Sequence, residues 1–249
     1  MIIIKSSDEI EKIREAGKIV SEALSLAGEI VKPGITTLEL NNAIEKVIVS
    51  HKAKPSFKNY NGFPAASCIS LNSVVVHGIP SKNVILKDGD IVSVDVGAFL
   101  NGYHADAART YPVGNISSEA KQLIDVTKEC FNRGAQAAIP GNRVGDIGFA
   151  VQSLAEEYGY GVVRELVGHG VGKNLHEEPD IPNFGNSGRG IRLKSGMVIA
   201  IEPMINAGTH MVDFNREDGW TVTTCDGALS AHYENTVAVT DNGPLLLTV

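Results

Sequence analysis

Asp95 ends an apolar run that begins at Ile91, and Asp106 follows shortly after the dipeptide Asn101-Gly102. Asn-Gly between two apolar runs predicts a hairpin closed by a two-residue type I′ turn. With that loop, paired positions sum to 203, so Asp106 faces Gly97 and Ala108 faces Asp95. Strand side chains alternate, which puts both aspartates on one face as diagonal neighbours, provided no bulge intervenes. At ~4 Å and an effective dielectric of ~20, two such charges repel by about 4 kcal/mol. Either one carboxyl is protonated or a cation lies between them.

Three further residues join this pair. Glu202 occupies the position equivalent to Asp95 in an internal repeat. Glu234 is embedded in the apolar-flanked run Leu229–Val239, read as one strand, after a second hairpin signal at Asp226-Gly227. His169 lies among Gly168, Gly170 and Gly172, where backbone can approach a ligand closely. Taken singly, a strand aspartate is usually a hydrogen-bonded or edge residue, and a glycine-flanked histidine a turn residue. Taken together, four acids on runs that the hydrophobic pattern buries need cations. Two divalent ions neutralise four carboxylates. Oxygen-rich ligation with one imidazole suits Mn, Fe, Co or Zn in a two-metal site better than a tetrahedral structural zinc. Bridging carboxylates hold such ions ~3.5–4 Å apart.

The elements that position these residues come in two sets. Lys87-Asp88-Gly89 through Asp95 aligns with Lys194-Ser195-Gly196 through Glu202 at an offset of 107 residues, and Pro33-Gly34 aligns with Pro140-Gly141 at the same offset. A helical pattern follows each Pro-Gly, with Leu40, Ile44, Val47 and Ile48 in one half and Ile147, Val151, Leu154 and Ala155 in the other. Thr36 with Glu39 forms a capping-box signature. Further helices are expected over Ser7 to Val31 and Ser118 to Ala137. A period near 100 residues marks a duplicated half-domain, since solenoid repeats run ~20–50 residues. No linker or low-complexity tract separates the halves. The expectation is a mixed α/β fold with internal pseudo-twofold symmetry: one domain over 1–249, with halves about 1–110 and 111–249.

With 22 basic against 29 acidic side chains, the 249-residue chain carries a net charge of −7, which argues against a nucleic-acid or anionic-membrane binder. The uncharged stretch from Tyr60 to Ser81 contains Asn, Ser, Gly and Pro and is no membrane span. The apolar start at Met1 is too short for a signal peptide. Cys68, Cys130 and Cys225 are far apart and odd in number, pointing to free thiols in a reducing compartment and a cytoplasmic location.

On these motifs the chain resembles the type I methionine aminopeptidases along essentially its whole length. The motifs are Val76-His77-Gly78-Ile79-Pro80, the run ending at Asp95, Asn101 to Asp106, Gly168 to Gly172 with Leu175-His176-Glu177-Glu178-Pro179, and Ile201-Glu202-Pro203. The resemblance implies the pita-bread fold, consistent with the repeat. It also implies that Asp95, Asp106, His169, Glu202 and Glu234 ligate two metal ions, with Asp106 and Glu234 bridging. His77 and His176 would contact substrate, Glu202 would shuttle a proton, and Tyr60, Phe63, Cys68 and Trp220 would line a methionine pocket. The implied activity is removal of the initiator methionine from nascent chains with a small second residue, by a monomer working near the ribosome. Asn235 stands where many members have His, and His232 where some have Gln, which bears on fine tuning rather than ligation.

His51, His104 and His210 match no ligand position and read as surface or local hydrogen-bonding residues, with a supporting role beside Asp106 as the alternative for His104, which shares its strand face. The segment Gly185 to Gly190 lacks a strand–helix context and reads as a loop, not a nucleotide site. An X-Pro aminopeptidase or prolidase on the same fold is the nearest enzymatic alternative. A non-catalytic binding protein would have lost ligands, whereas all five are present.

Overall fold

Ser6 and Thr36 open the first two helices, α1 (Ser7–Ile30) and α2 (Thr37–Ser50), each through a reciprocal capping box with the glutamate three residues on. The computed structural model describes residues 1–249. The first half continues through β1 (Lys54–Pro55), β2 (Ser67–Leu71), β3 (Val74–Val76), β4 (Ile91–Leu100) and β5 (Tyr103–Pro112). The second half opens with α3 (Ser118–Gln136) and α4 (Val144–Glu157), then β6 (Gly161–Val162), β7 (Gly168–Gly170), β8 (Glu177–Ile181), β9 (Val198–Ile201) and β10 (Met204–Asn206). It ends with β11 (Val212–Phe214), β12 (Val222–Thr224), β13 (Ser230–His232), β14 (Asn235–Thr240) and β15 (Gly243–Leu246).

All strand pairings are antiparallel. In the first half β4 pairs with β5 on one edge and with β1 and β2 on the other; in the second the order is β15-β14-β9-β7-β8. Alternation along β4 divides its labour. Val92, Val94 and Val96 share one core with Val20 and Leu24 of α1 and with Leu40 and Ile44 of α2, leaving Ser93, Asp95 and Gly97 to the opposite face. In the second half Ile199, Ile201, Val237 and Val239 pack with Phe131 of α3 and Ile147 of α4. Each such fully buried aliphatic side chain contributes ~1.5–3 kcal/mol of burial free energy. These two helix-backed layers hold the site-bearing faces in place.

The repeat is visible in backbone bonds as well as residues. Gly34 N donates to Leu86 O at 2.8 Å, and 107 residues later Gly141 N donates to Leu193 O at 3.1 Å. Thr36 bridges Ile85 just as Arg143 bridges Arg192. Gly34 and Gly141 adopt φ of +94° and +96°, a left-handed turn that only glycine enters without strain.

The Asn101-Gly102 hairpin has the register expected, with Asp95 opposite Ala108 and Gly97 opposite Asp106, and both turn residues at positive φ. Two sequence expectations need correction. Asp226-Gly227 is a turn, but its flanking strands do not pair: β12 joins β3 and β11, whereas β13 joins β10. The run Leu229–Val239 is not one strand either. It breaks between β13 and β14, where Tyr233 N turns to Pro203 O and Glu234 exchanges backbone bonds with Ala108. The chain changes sheets at Glu234, and that crossing is what interrupts the run.

Candidate metal centre

Backbone register lines the acidic residues up in a row. Asp95 pairs with Ala108 across β4 and β5. Ala108 exchanges bonds with Glu234, whose N–H donates to Ala108 O at 3.0 Å. One step beyond the Asn235–Ile201 pair, the same register sets Glu234 beside Glu202. Asp95, Ala108, Glu234 and Glu202 therefore lie side by side across four strands. The neighbouring row holds Gly97, Asp106 and Thr236 and continues to Ala200, close to His169 on β7. Small residues in both rows leave the space that the carboxylates converge on.

Asp106, His169 and Glu234 each offer a ligand atom within 4.8 Å of the others. His169 Nε2 stands 3.5 Å from Asp106 Oδ2 and 3.6 Å from Glu202 Oε1, too far for good hydrogen bonds but suited to a shared cation between them. Its Nδ1 donates to Gly170 O at 2.9 Å, and because a carbonyl only accepts, the Nε2 lone pair is left facing the acids. Asp95 Oδ1 is buried with no hydrogen-bond partner. Arg109 beside Glu234 spends its donors on the carbonyls of Ala108 and Glu234 and on Asn235 Oδ1 rather than on a carboxylate.

The electrostatics have one cause above all. Burial, reinforced by the neighbouring acids, pushes the carboxyls of Asp95, Glu202 and Glu234 well above the usual range. Burial raises Asp106 to about 6 despite the Thr236 hydroxyl 2.9 Å from its Oδ1. Burial also lowers His169 to about 4, keeping the imidazole neutral, the form that can bind a cation. Without cations this cluster is held together only by protons. The donor set fits divalent ions that prefer oxygen and imidazole.

A cavity of about 230 Å³ opens on the cluster, and every candidate ligand, histidine and pocket residue that the resemblance implied lies on its wall. Phe63, Cys68 and Trp220 form its apolar end, with Phe63 and Trp220 edge-to-face at 5.1 Å. Cys68 sits opposite Asp95 on β2, and burial raises its thiol well above the usual range, which makes it an inert wall rather than a nucleophile. His77 stands at φ +59°, an uncommon conformation for a side-chain-bearing residue, beside Gly78, where a Cβ would collide with Ile69 O. The close packing of Gly78 on β2 aims His77 into the cavity, 6.1 Å from the Trp220 ring. His176 is exposed at the mouth, with Nδ1 2.7 Å from the Tyr60 hydroxyl and its ring 4.1 Å from that of His169. Burial lowers His77 to about 4; at His176, whose outer edge stays in solvent, desolvation of the ring's inner side together with the neighbouring His169 lowers it to about 4 as well.

His51 pairs with Glu22 at the surface, whereas His104 is part-buried and bonds Ser56, 48 positions away, without joining the cluster. The structure adds Arg109, Thr236 and Asn183, which donates to Glu202 O at 3.0 Å. Their bonds cross between chain segments that no hairpin signal links. Only Thr236 had a signal, two residues after Glu234 on the same strand face. His232 is fully buried with Nε2 3.8 Å from Glu202 Oε2, and Asn235 anchors Arg109, so both departures from the family pattern border the cluster.

A ring of four largely buried carboxylates and one imidazole under an apolar cavity, on a pseudo-twofold pita-bread frame, defines a metal-dependent hydrolase. The profile of metallopeptidase family M24 matches residues 11–241. The chain is 56% identical to the methionine aminopeptidase of Clostridium acetobutylicum over 249 residues, covering 100% of this chain and 99% of that one. It superposes on the crystal structure of methionine aminopeptidase from Rickettsia prowazekii with a TM-score of 0.98, at 44% identity and 100% coverage of both chains. A prolidase from Pyrococcus furiosus is more distant, at a TM-score of 0.81, 29% identity and 65% coverage of that chain. The chain belongs to metallopeptidase family M24, among its methionine aminopeptidases.

Proposed function

We propose that this chain removes the initiator methionine from nascent proteins whose second residue is small. The observation that carries the reading is the row of Asp95, Glu234 and Glu202 with Asp106 and His169, lying directly beneath a narrow cavity walled by Phe63, Cys68 and Trp220. In this reading Asp95, Asp106, His169, Glu202 and Glu234 would hold two divalent ions, the metal being Mn, Fe, Co or Zn. When bound, such ions polarise the scissile carbonyl and lower the pKa of water from ~15.7 to about 7. Glu202 receives the proton released as water attacks and returns it to the departing nitrogen as the C–N bond breaks. Tyr60 donates to His176 Nδ1, which leaves the ring proton on Nε2 to hydrogen-bond the substrate carbonyl oxygen as charge develops. His77 orients the substrate from the opposite wall.

The cavity explains the preference for methionine. An unbranched thioether threads between aromatic rings and gains ~0.3–1.5 kcal/mol per sulfur–aromatic contact. Branched side chains collide at Cβ, and charged ones lose hydration without a partner. Residues 1–249 act as one catalytic domain, with halves about 1–110 and 111–249 each supplying ligands. No helix is long and apolar enough to cross a membrane. The substrate class supports a cytoplasmic monomer meeting nascent chains close to the ribosome, without binding nucleic acid itself. Purified protein should release methionine from Met-Ala-Ser, lose that activity on chelation and regain it with a divalent ion. Turnover that survives complete metal removal would refute the proposal.

A further inference from the structure

Lys5 is an outlier among the lysines: its side chain is 3% exposed and its ammonium lies 2.7 Å from Glu177 Oε2, itself on a side chain 4% exposed. Lysine is almost never buried unless paired, and a buried pair gains little net stability over apolar packing, so a positional role is its best-attested use. This pair spans 172 positions of sequence. It joins the N-terminal segment leading into α1 to the residue immediately after His176.

Both ends of the link are fixed. Lys5 N donates to Gly196 O at 2.7 Å, and a Cβ on Gly196 would lie 2.6 Å from Ile4 and 2.8 Å from Lys5 O, so this glycine admits the N-terminal segment. The Glu177 carboxylate occupies the space that a side chain on Gly172 would take, with a Cβ there only 2.5 Å from Oε1. Its Oε1 also accepts from Asn174 N at 3.1 Å, closing the loop on which His176 rides. His104 N donates to Gly172 O at 2.8 Å and ties the loop's start to β5. His176 itself has a single hydrogen-bond partner, the Tyr60 hydroxyl.

We infer that Lys5 is a positioning residue for His176, setting through Glu177 where that imidazole meets the substrate carbonyl. The assignment rests on the aminopeptidase reading, and it names a residue that touches neither substrate nor any ligand of the metal cluster. Misplacing a catalytic group by ~1 Å can cost about 100-fold in rate.

The test is a double-variant cycle on the metal-loaded full chain, with Met-Ala-Ser as substrate. Lys5→Met should lower kcat by roughly tenfold or more while KM and bound metal stay at wild-type levels, and Lys5→Arg should recover most of the loss. In a His176→Ala background, Lys5→Met should cost nothing further in kcat, because the group it positions is gone. An equal fold-loss in both backgrounds would mean general loosening and overturn the assignment. So would a Lys5→Met enzyme with wild-type kcat. If Lys5→Met does not fold, the variant Lys5→Met with Glu177→Gln removes both charges and passes through the same cycle, with the same outcomes deciding. A wild type inactive on Met-Ala-Ser would overturn the function itself and this assignment with it, whereas an active wild type matched by Lys5→Met overturns the assignment alone.

Discussion

Ala108 carries no functional group, yet it decides how close Asp95 and Glu234 stand, because it separates them in the row that crosses β4, β5 and the start of β14. The carboxylates around it differ in what they can spare. Asp106 lies next to His169 and Glu234, so Asp106→Ala should abolish both metal loading and turnover, read by metal analysis and peptide hydrolysis. Two bound ions and near wild-type turnover in that variant would show the ligand assignment to be wrong. His176→Ala should load metal normally and lose about 10²–10³-fold in kcat, the cost of one oxyanion donor. At this scale the sequence was informative where chemistry is local. Asp95 and Asp106 were legible because Asn101-Gly102 fixes their parity. Arg109, Asn183 and the Lys5–Glu177 pair were not, because their partners are carbonyls or carboxylates whose nearness exists only after the halves assemble.

The hairpin of β4 and β5 is the element on which the site turns. Its two-residue loop sets the pairing, and a one-residue slip would carry every side chain of β5 to the other face. Inserting a single residue between Asn101 and Gly102 should therefore cost metal binding, as Asp106 leaves the cluster while Asp95 stays. Metal content alongside far-ultraviolet circular dichroism would check this; a folded insertion variant that still binds two ions would contradict the register argument. The break between β13 and β14 marks the limit of reading elements from pattern. Leu229–Val239 alternates and is rich in strand formers, so periodicity alone gives one strand. The interruption arises because Glu234 pairs with Ala108 of the other half, a long-range contact that overrides local preference.

At the scale of the whole molecule, two helix-backed halves present acidic faces to each other, and the cost of that arrangement depends on pH. Asp106 moves from 3.8 to about 6 on folding, so the folded state keeps a proton that the unfolded chain releases. That contribution to stability is present below 3.8 and lost as pH rises to about 6. His169 does the reverse: lowered from 6.5 to about 4, it favours folding above 6.5, and that contribution fades as pH falls toward 4. The opposing signs blur in the metal-free protein, but metal binding needs both groups deprotonated. The rise in Tm produced by a saturating divalent ion should therefore grow between pH 5 and pH 7.5. A Tm gain independent of pH would argue that the cations bind elsewhere. The pseudo-twofold plan itself was legible from the 107-residue offset, because glycines at positive φ and the carboxylates Asp95 and Glu202, each after a matching apolar run, occur in both halves.

The most direct test of the central claim is the rate of N-terminal residue release across Met-X-Ser peptides, with X as Ala, Gly, Ser, Ile or Lys, beside Leu-Ala-Ser and Met-Pro-Ser. The cavity walled by Phe63, Cys68 and Trp220 above the acidic cluster predicts efficient release of methionine when X is Ala, Gly or Ser, and little when X is Ile or Lys or when Leu replaces Met. Efficient cleavage of Met-Ile-Ser or Leu-Ala-Ser would contradict a narrow methionine pocket, and cleavage confined to Met-Pro-Ser would identify an X-Pro aminopeptidase instead.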